Sequence, residues 1–170
     1  MDALSRLVAR DEIRQLASRY ALAIDTRDLD ALVGLFVPDV DCGRWGRGRS
    51  ALRESFESQL REVGPTVMLV ANHVIDFHDD DRAHGVVYGV AEASRPEGFV
   101  RQAIQYHDDY ERRSETWLFV RRKHLLWYGV VLPYDPMAQA PAEWPTRQVG
   151  RGTVPECWES WRRFHQAEDT

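Results

Sequence analysis

Residues 66–129 read TVMLVANHVIDFHDDDRAHGVVYGVAEASRPEGFVRQAIQYHDDYERRSETWLFVRRKHLLWYG. Four runs in this stretch, 66–78, 82–95, 99–113 and 116–129, are rich in Val, Ile, Tyr, Phe and Trp, the composition of strands. Short turn-like strings separate them: Asp79-Asp80-Asp81, Arg95-Pro96-Glu97-Gly98 and Arg113-Ser114-Glu115. Links this short join antiparallel neighbours. The stretch therefore predicts one antiparallel sheet of four long strands.

Upstream the period changes. Ile13, Leu16, Ala17, Tyr20 and Ile24 recur at helical spacing and predict a helix over 3–25. A second helix is expected over 29–36, capped by Asp28 or Thr26 and stopped by Pro38. An extended piece over 40–45 and a turn at Gly46-Arg47-Gly48 come next. A third helix follows Ser50, its expected N-cap, with Leu52, Phe56, Leu60 and Val63 on one side. Downstream, Pro133, Pro136, Pro141, Pro145 and Pro155 break regular structure. Thr153-Val154-Pro155-Glu156 has capping-box spacing ahead of a terminal helix over 157–166, which carries Trp158, Trp161 and Phe164. Trp is costly to leave in water, so this tail is expected to dock on the domain or on a neighbouring subunit. The division is a domain over 1–132 and an extension over 133–170. The fold class is α+β.

The chain has 170 residues and a formal net charge of −5, with no basic stripe of the kind nucleic acid requires. Arg121, Arg122 and Lys123 sit in a strand pattern and read as a solvated face. Cys42 and Cys157 are the only cysteines, too few for a disulfide framework or a Cys-based zinc site. No His-x-x-x-His or His-x-His set suggests a metal. His78, His84 and His165 fall in loop, turn or tail positions and read as solvated. No signal-type or membrane-length apolar run occurs, so a cytoplasmic protein without a membrane partner is expected.

Helices first and a long curled sheet after is the order of the nuclear-transport-factor-two-like superfamily, and local strings resemble its SnoaL-like members. They are Arg19 to Asp30 (RYALAIDTRDLD), Leu35 to Val40 (LFVPDV), Asn72 to Asp76 (NHVID), and Tyr106 to Arg113 (YHDDYERR) followed by Trp117-Leu118-Phe119. The resemblance implies a cone: a curved antiparallel sheet packed with three N-terminal helices around an apolar pocket. Relatives include scytalone and bile-acid dehydratases, hexachlorocyclohexane dehydrochlorinases, ketosteroid isomerases, polyketide cyclases and non-enzymatic binders. Several of the lyases use an Asp–His pair in which the imidazole takes a proton and the carboxylate orients it.

Residue by residue, Asp25 matches the family Asp, and Tyr20 matches the dehydratase Tyr by its spacing to Asp25. The family His falls on Met68, which cannot accept a proton. His73 is the available substitute. Strict alternation puts Met68, Val70 and Asn72 on one face and Leu69, Ala71 and His73 on the other; a one-residue bulge would reverse that. In the third run Val100, Ile104, Tyr106 and Tyr110 make the apolar face, and His107 should look outward. Asp108 shares the pocket side with Tyr106, but its place near the strand end points to exposure. His124, near Trp127 and Tyr128, has no decided face. The expected catalytic residues are Asp25, Tyr20 and His73. The expected substrate contacts are Met68, Asn72, Tyr106 and Trp127.

The function implied is a cofactor-free lyase or isomerase of dehydratase type, acting on a hydrophobic ring compound such as a steroid, terpene or polyketide. The alternatives are a non-catalytic binder of a small hydrophobic molecule and an oligomeric interaction module of the same fold. Self-association as a homodimer or homotrimer is expected.

Overall fold

The stripe Ile13, Leu16, Ala17, Tyr20 and Ile24 is the buried side of helix α1, Ala3–Thr26, in a computed structural model that describes residues 1–166. Asp2 opens the helix, its carboxylate accepting from the Ser5 N–H at 2.8 Å. Arg27 ends it in the left-handed conformation (φ 57°), with its N–H turned back to the Ala23 and Ile24 carbonyls. Few residues other than glycine hold that conformation. Arg27 is anchored there by its side chain, which donates to the carbonyls of Ile24, Val63 and Gly64 and to the Thr66 hydroxyl.

Asp28 then caps helix α2, Leu29–Gly34, accepting from the Ala31 N–H at 3.0 Å. This helix stops short of the expected residue 36 because the chain turns to the sheet. The Val37 N–H donates to the Phe119 carbonyl and the Phe119 N–H to the Leu35 carbonyl, both at 2.9 Å. Residues 40–45 do not form a strand. A single Asp41–Arg47 bridge brackets a tight turn, Gly43–Trp45. Helix α3, Arg49–Arg61, takes Gly48 as its N-cap, and Ser50 lies inside the first turn. Gly48 has φ 94°, a conformation that favours glycine, and its N–H is tied to the Val40 carbonyl at 2.7 Å.

The four strands are β1 Thr66–Phe77, β2 Arg82–Arg95, β3 Gly98–Arg113 and β4 Thr116–Val131. They pair in sequence order, all antiparallel. The result is a curved open sheet with α1 packed against β1 and β4, the cone the sequence predicts. Three local irregularities decide which side chains enter it; at one of them Asp109 pairs with Arg121 and Tyr110 with Phe119, so Val120 is extra and both Phe119 and Arg122 turn inward. In β1, Val70 pairs with Gly89 and His73 with Val87, so Ala71 and Asn72 together oppose Tyr88. That two-against-one bulge flips the alternation. In β4, Ala103 pairs with Tyr128 and Ile104 with Leu126, leaving Trp127 as the extra residue.

The tail closes over the seam between α1 and α3. Helix α4, Glu159–Gln166, is shorter than the expected 157–166, because Thr153 to Trp158 forms turns. Trp161 and Phe164 are buried; the Arg27 guanidinium lies 4.7 Å from the Trp161 ring centroid and that of Arg61 4.5 Å from Phe164. The Ser160 hydroxyl donates to the Thr26 carbonyl at 2.8 Å. Of the tail Trp residues, Trp161 makes the contact with the domain, while Trp144 and Trp158 are exposed. The last four residues of the tail, 167–170, lie outside the described residues. Among the described residues no helix is long and apolar enough to cross a membrane.

Candidate functional site

Between α1, α3 and the sheet lies a cavity of about 290 Å³, lined among others by Tyr20, Phe56, Met68, Ile104, Tyr106 and His124. A second chamber, also about 290 Å³, shares Tyr20, Phe56, Tyr106 and His124 and adds Arg122 and Ser55. The shared wall carries the polar chemistry. Tyr20 and Tyr106 come from α1 and β3, and their rings meet edge-on at 5.8 Å. His124, paired across the sheet with Tyr106, puts its ring 5.3 Å from it.

Beneath these rings lies Arg122. Its guanidinium carbon is 4.4 Å from the Tyr20 centroid, 4.2 Å from Tyr106 and 4.4 Å from Phe119. Asp108 fixes it with two bonds, 2.9 Å from Nε and 2.7 Å from Nη2. Side-chain exposure is 4 % for Arg122 and 0 % for Asp108. Both sequence expectations fail here: Arg122 is not on a solvated face and Asp108 is not exposed. The alternation that makes Asp108 and Arg122 cross-strand partners also aims both inward. Such a pair survives burial because each charge meets the other in bidentate geometry.

Burial acts on every titratable group in the wall. It raises the phenols of Tyr20 and Tyr106, so both remain neutral hydrogen-bond donors. It lowers His124, and the charge of Arg122 lowers it further, so the imidazole is neutral at pH 7. Burial also opposes the charge of Arg122, but the hydrogen bond and charge of Asp108 outweigh it and hold the guanidinium protonated.

Asp25 stands beside this wall rather than in it. Its carboxylate accepts from the Thr66 hydroxyl at 2.7 Å and the Met68 N–H at 2.9 Å, and no imidazole is among its partners. Burial raises its pKa, against those two hydrogen bonds and the charge of Arg27. The Met68 side chain lines the cavity, its Sδ 3.9 Å from the Tyr106 hydroxyl.

His73 does reach the inner face, carried there by the β1 bulge. It does not meet Asp25. Its Nε2 lies 3.0 Å from the Tyr110 hydroxyl, which donates to Asp108 at 2.8 Å. It therefore belongs to a network below the cavity floor, His73–Tyr110–Asp108–Arg122, and Gly85 makes the space for it. A Cβ on Gly85 would lie 3.1 Å from His73 Nε2 and 3.0 Å from the Tyr110 ring. Burial lowers the His73 pKa to about 4, against the attraction of Asp108. An unfolded histidine takes up a proton near pH 6.5. As pH falls from 6.5 towards 4 the unfolded chain therefore gains a proton that the folded chain refuses, and stability drops over that window. Urea midpoints at pH 7 and pH 4.5 should show this loss, and His73→Gln should reduce it. An unchanged difference would remove His73 as its source.

Two expected contacts are not in the cavity. Asn72 is exposed because it sits in the bulge. Trp127, the extra residue in β4, turns outward, 64 % exposed and stacked on Tyr88 at 6.3 Å. Tyr20, Met68 and Tyr106 are brought together. His124 and Arg122 join them without having been expected; the signal available for both was their register opposite Tyr106 and Asp108.

The model of the SnoaL-like domain matches residues 5–123. The chain belongs to the SnoaL-like domain family. Solved structures share the fold of this SnoaL-like chain at low identity. One titled as LinA is 23 % identical with a TM-score of 0.71, covering 78 % of this chain and 95 % of its own. A hexachlorocyclohexane dehydrochlorinase from Novosphingobium barchaimii is 21 % identical with a TM-score of 0.69, covering 76 % and 94 %. A putative scytalone dehydratase from Novosphingobium aromaticivorans is 22 % identical with a TM-score of 0.65, covering 80 % and 97 %. No curated protein matches the chain significantly.

Proposed function

We propose that this SnoaL-like protein is a cofactor-free lyase or isomerase of dehydratase type whose substrate is a hydrophobic ring compound such as a steroid, terpene or polyketide. The observation that carries this reading is the shared wall of the two chambers: a neutral imidazole, His124, beside two neutral phenols above a fixed cation. His124 takes a proton from the carbon next to a substrate carbonyl. Tyr106 and Tyr20 donate hydrogen bonds to the carbonyl oxygen as it becomes an enolate. Arg122 supplies positive charge below the rings, which favours the negative charge developing above them. Collapse of the enolate expels a β-hydroxyl, which takes the proton back from the His124 imidazolium and leaves as water, giving dehydration; or that proton returns to another carbon, giving isomerisation.

A screen of cyclic hydroxy-ketones against the purified protein, followed by mass spectrometry for loss of water and by ultraviolet absorbance for new conjugation, tests it. Ala91 lines the cavity. Ala91→Phe should fill the space and abolish turnover of any compound found while the fold survives. Turnover that persists in Ala91→Phe would place the chemistry elsewhere.

A second reading, a non-catalytic binder, rests on one observation: Asp25 is engaged by Thr66 and the Met68 backbone and has no imidazole to orient. It is supported if ring compounds bind with Ala91-sensitive affinity and leave unchanged. The exposed apolar side chains Val67, Leu69, Tyr88, Tyr128 and Val130 on the strands support self-association as a homodimer or homotrimer under either reading.

A further inference from the structure

At the far end of the sheet, the β1–β2 hairpin brings together two histidines that sequence spacing alone does not pair. His78 follows β1, and His84 lies in β2 opposite Asp76. His84 Nδ1 and His78 Nε2 are 3.1 Å apart, with ring centroids at 4.8 Å and planes 36° apart. The second nitrogen of His84 lies 3.6 Å from an Asp76 carboxylate oxygen. That carboxylate favours the tautomer with the proton on Nε2, which leaves a lone pair on Nδ1 facing His78. The His78 side chain meets it with its own Nε2. A 3.1 Å gap of this kind suits either a shared proton or a cation that bonds to both nitrogens.

We propose that His78 and His84 form a binding site for a late divalent transition metal ion of the zinc, copper, nickel and cobalt group. Two imidazole nitrogens bound at about 2.0–2.1 Å to one ion stand roughly 2.9–3.4 Å apart for bond angles between square-planar and tetrahedral. The observed 3.1 Å falls inside that span. Asp76 stands where a carboxylate commonly backs a metal-bound histidine and orients its ring.

The hairpin is also preorganised. The His78 and Asp79 N–H groups both bond to the Arg82 carbonyl, and the Asp79 carboxylate holds the Asp81 N–H and the Arg82 side chain. Asp76 stands beside the pair, while the turn carboxylates Asp79, Asp80 and Asp81 are paired with Arg82, the N-terminal amine and Arg112. Among the described residues no group of three or more His, Cys, Asp or Glu could hold a metal. This is accordingly a two-histidine site, completed by water and independent of the cavity chemistry.

Titration of the full chain with Zn²⁺ by calorimetry, and with Co²⁺ by visible absorbance, tests the site. The expected result is one saturable equivalent. His78→Ala and His84→Ala should each weaken it at least tenfold, and Asp76→Asn roughly tenfold to a hundredfold, the usual effect of a backing partner. His107→Ala, an exposed histidine elsewhere on the sheet, should leave it unchanged. Absence of saturable binding overturns the proposal, and so does binding that survives both His78→Ala and His84→Ala. All four side chains lie at the surface, so circular dichroism should show the variants folded.

Discussion

Asp108→Ala should cost about 3–5 kcal/mol of stability, the usual consequence of stranding one member of a buried ion pair. The Arg122 side chain is 4 % exposed, and Asp108 is the acceptor of its two charge-assisted bonds. Removing the carboxylate leaves a guanidinium with aromatic faces around it and no counter-charge. It also takes the acceptor from the Tyr110 hydroxyl, and so undoes the His73 network. Typical domains have only about 5–15 kcal/mol to lose, so the unfolding midpoint should fall by a large fraction of its wild-type value. The double variant Asp108→Ala/Arg122→Met should recover most of the loss, because an apolar side chain in the same space carries no charge to desolvate. Urea unfolding of the wild type, both single variants and the double gives the coupling directly. If Asp108→Ala lies within about 1 kcal/mol of wild type, the buried pair does not hold the fold together.

How much of this was legible from the residues follows from what each signal measures. Strand composition and short turns measure backbone pairing, and they located β1 to β4 to within a few residues. Helical period measures one buried stripe, and it located α1. Neither measures a bulge. The extra residue in β1 sends His73 inward and Asn72 outward, and the extra residue at Trp127 sends that ring away from the cavity. Charge was the second blind spot. Asp108 and Arg122 each read singly as a solvated residue, since charged side chains are rarely buried unless paired. The pairing appears only once β3 and β4 are placed in register. The same holds for His78 and His84, whose meeting depends on the path of a hairpin.

The departure at Met68 has a physical consequence for where chemistry can occur. With no imidazole beside it, Asp25 spends both oxygens on the start of β1, tying the end of α1 to the sheet. Under the proposed function the proton acceptor on the cavity wall comes from another element, His124 of β4. His124→Gln should therefore lower kcat/KM for a turned-over ring compound by roughly 10²–10⁴, the usual contribution of a positioned general base. Because His124 is only partly removed from solvent at the cavity mouth, the unfolding midpoint of the variant should change little. The pH dependence gives the sharper test. A base acts in its neutral form, so kcat/KM should be flat near pH 7 and fall as pH drops through the His124 pKa. Burial and Arg122 place that pKa below the ordinary imidazole value, so the falling limb should lie on the acid side of 6.5. In His124→Gln the limb should vanish along with most of the rate. If the limb persists there and is lost instead in Asp25→Asn, the carboxylate held by Thr66 and Met68 is the base and His124 is a wall residue.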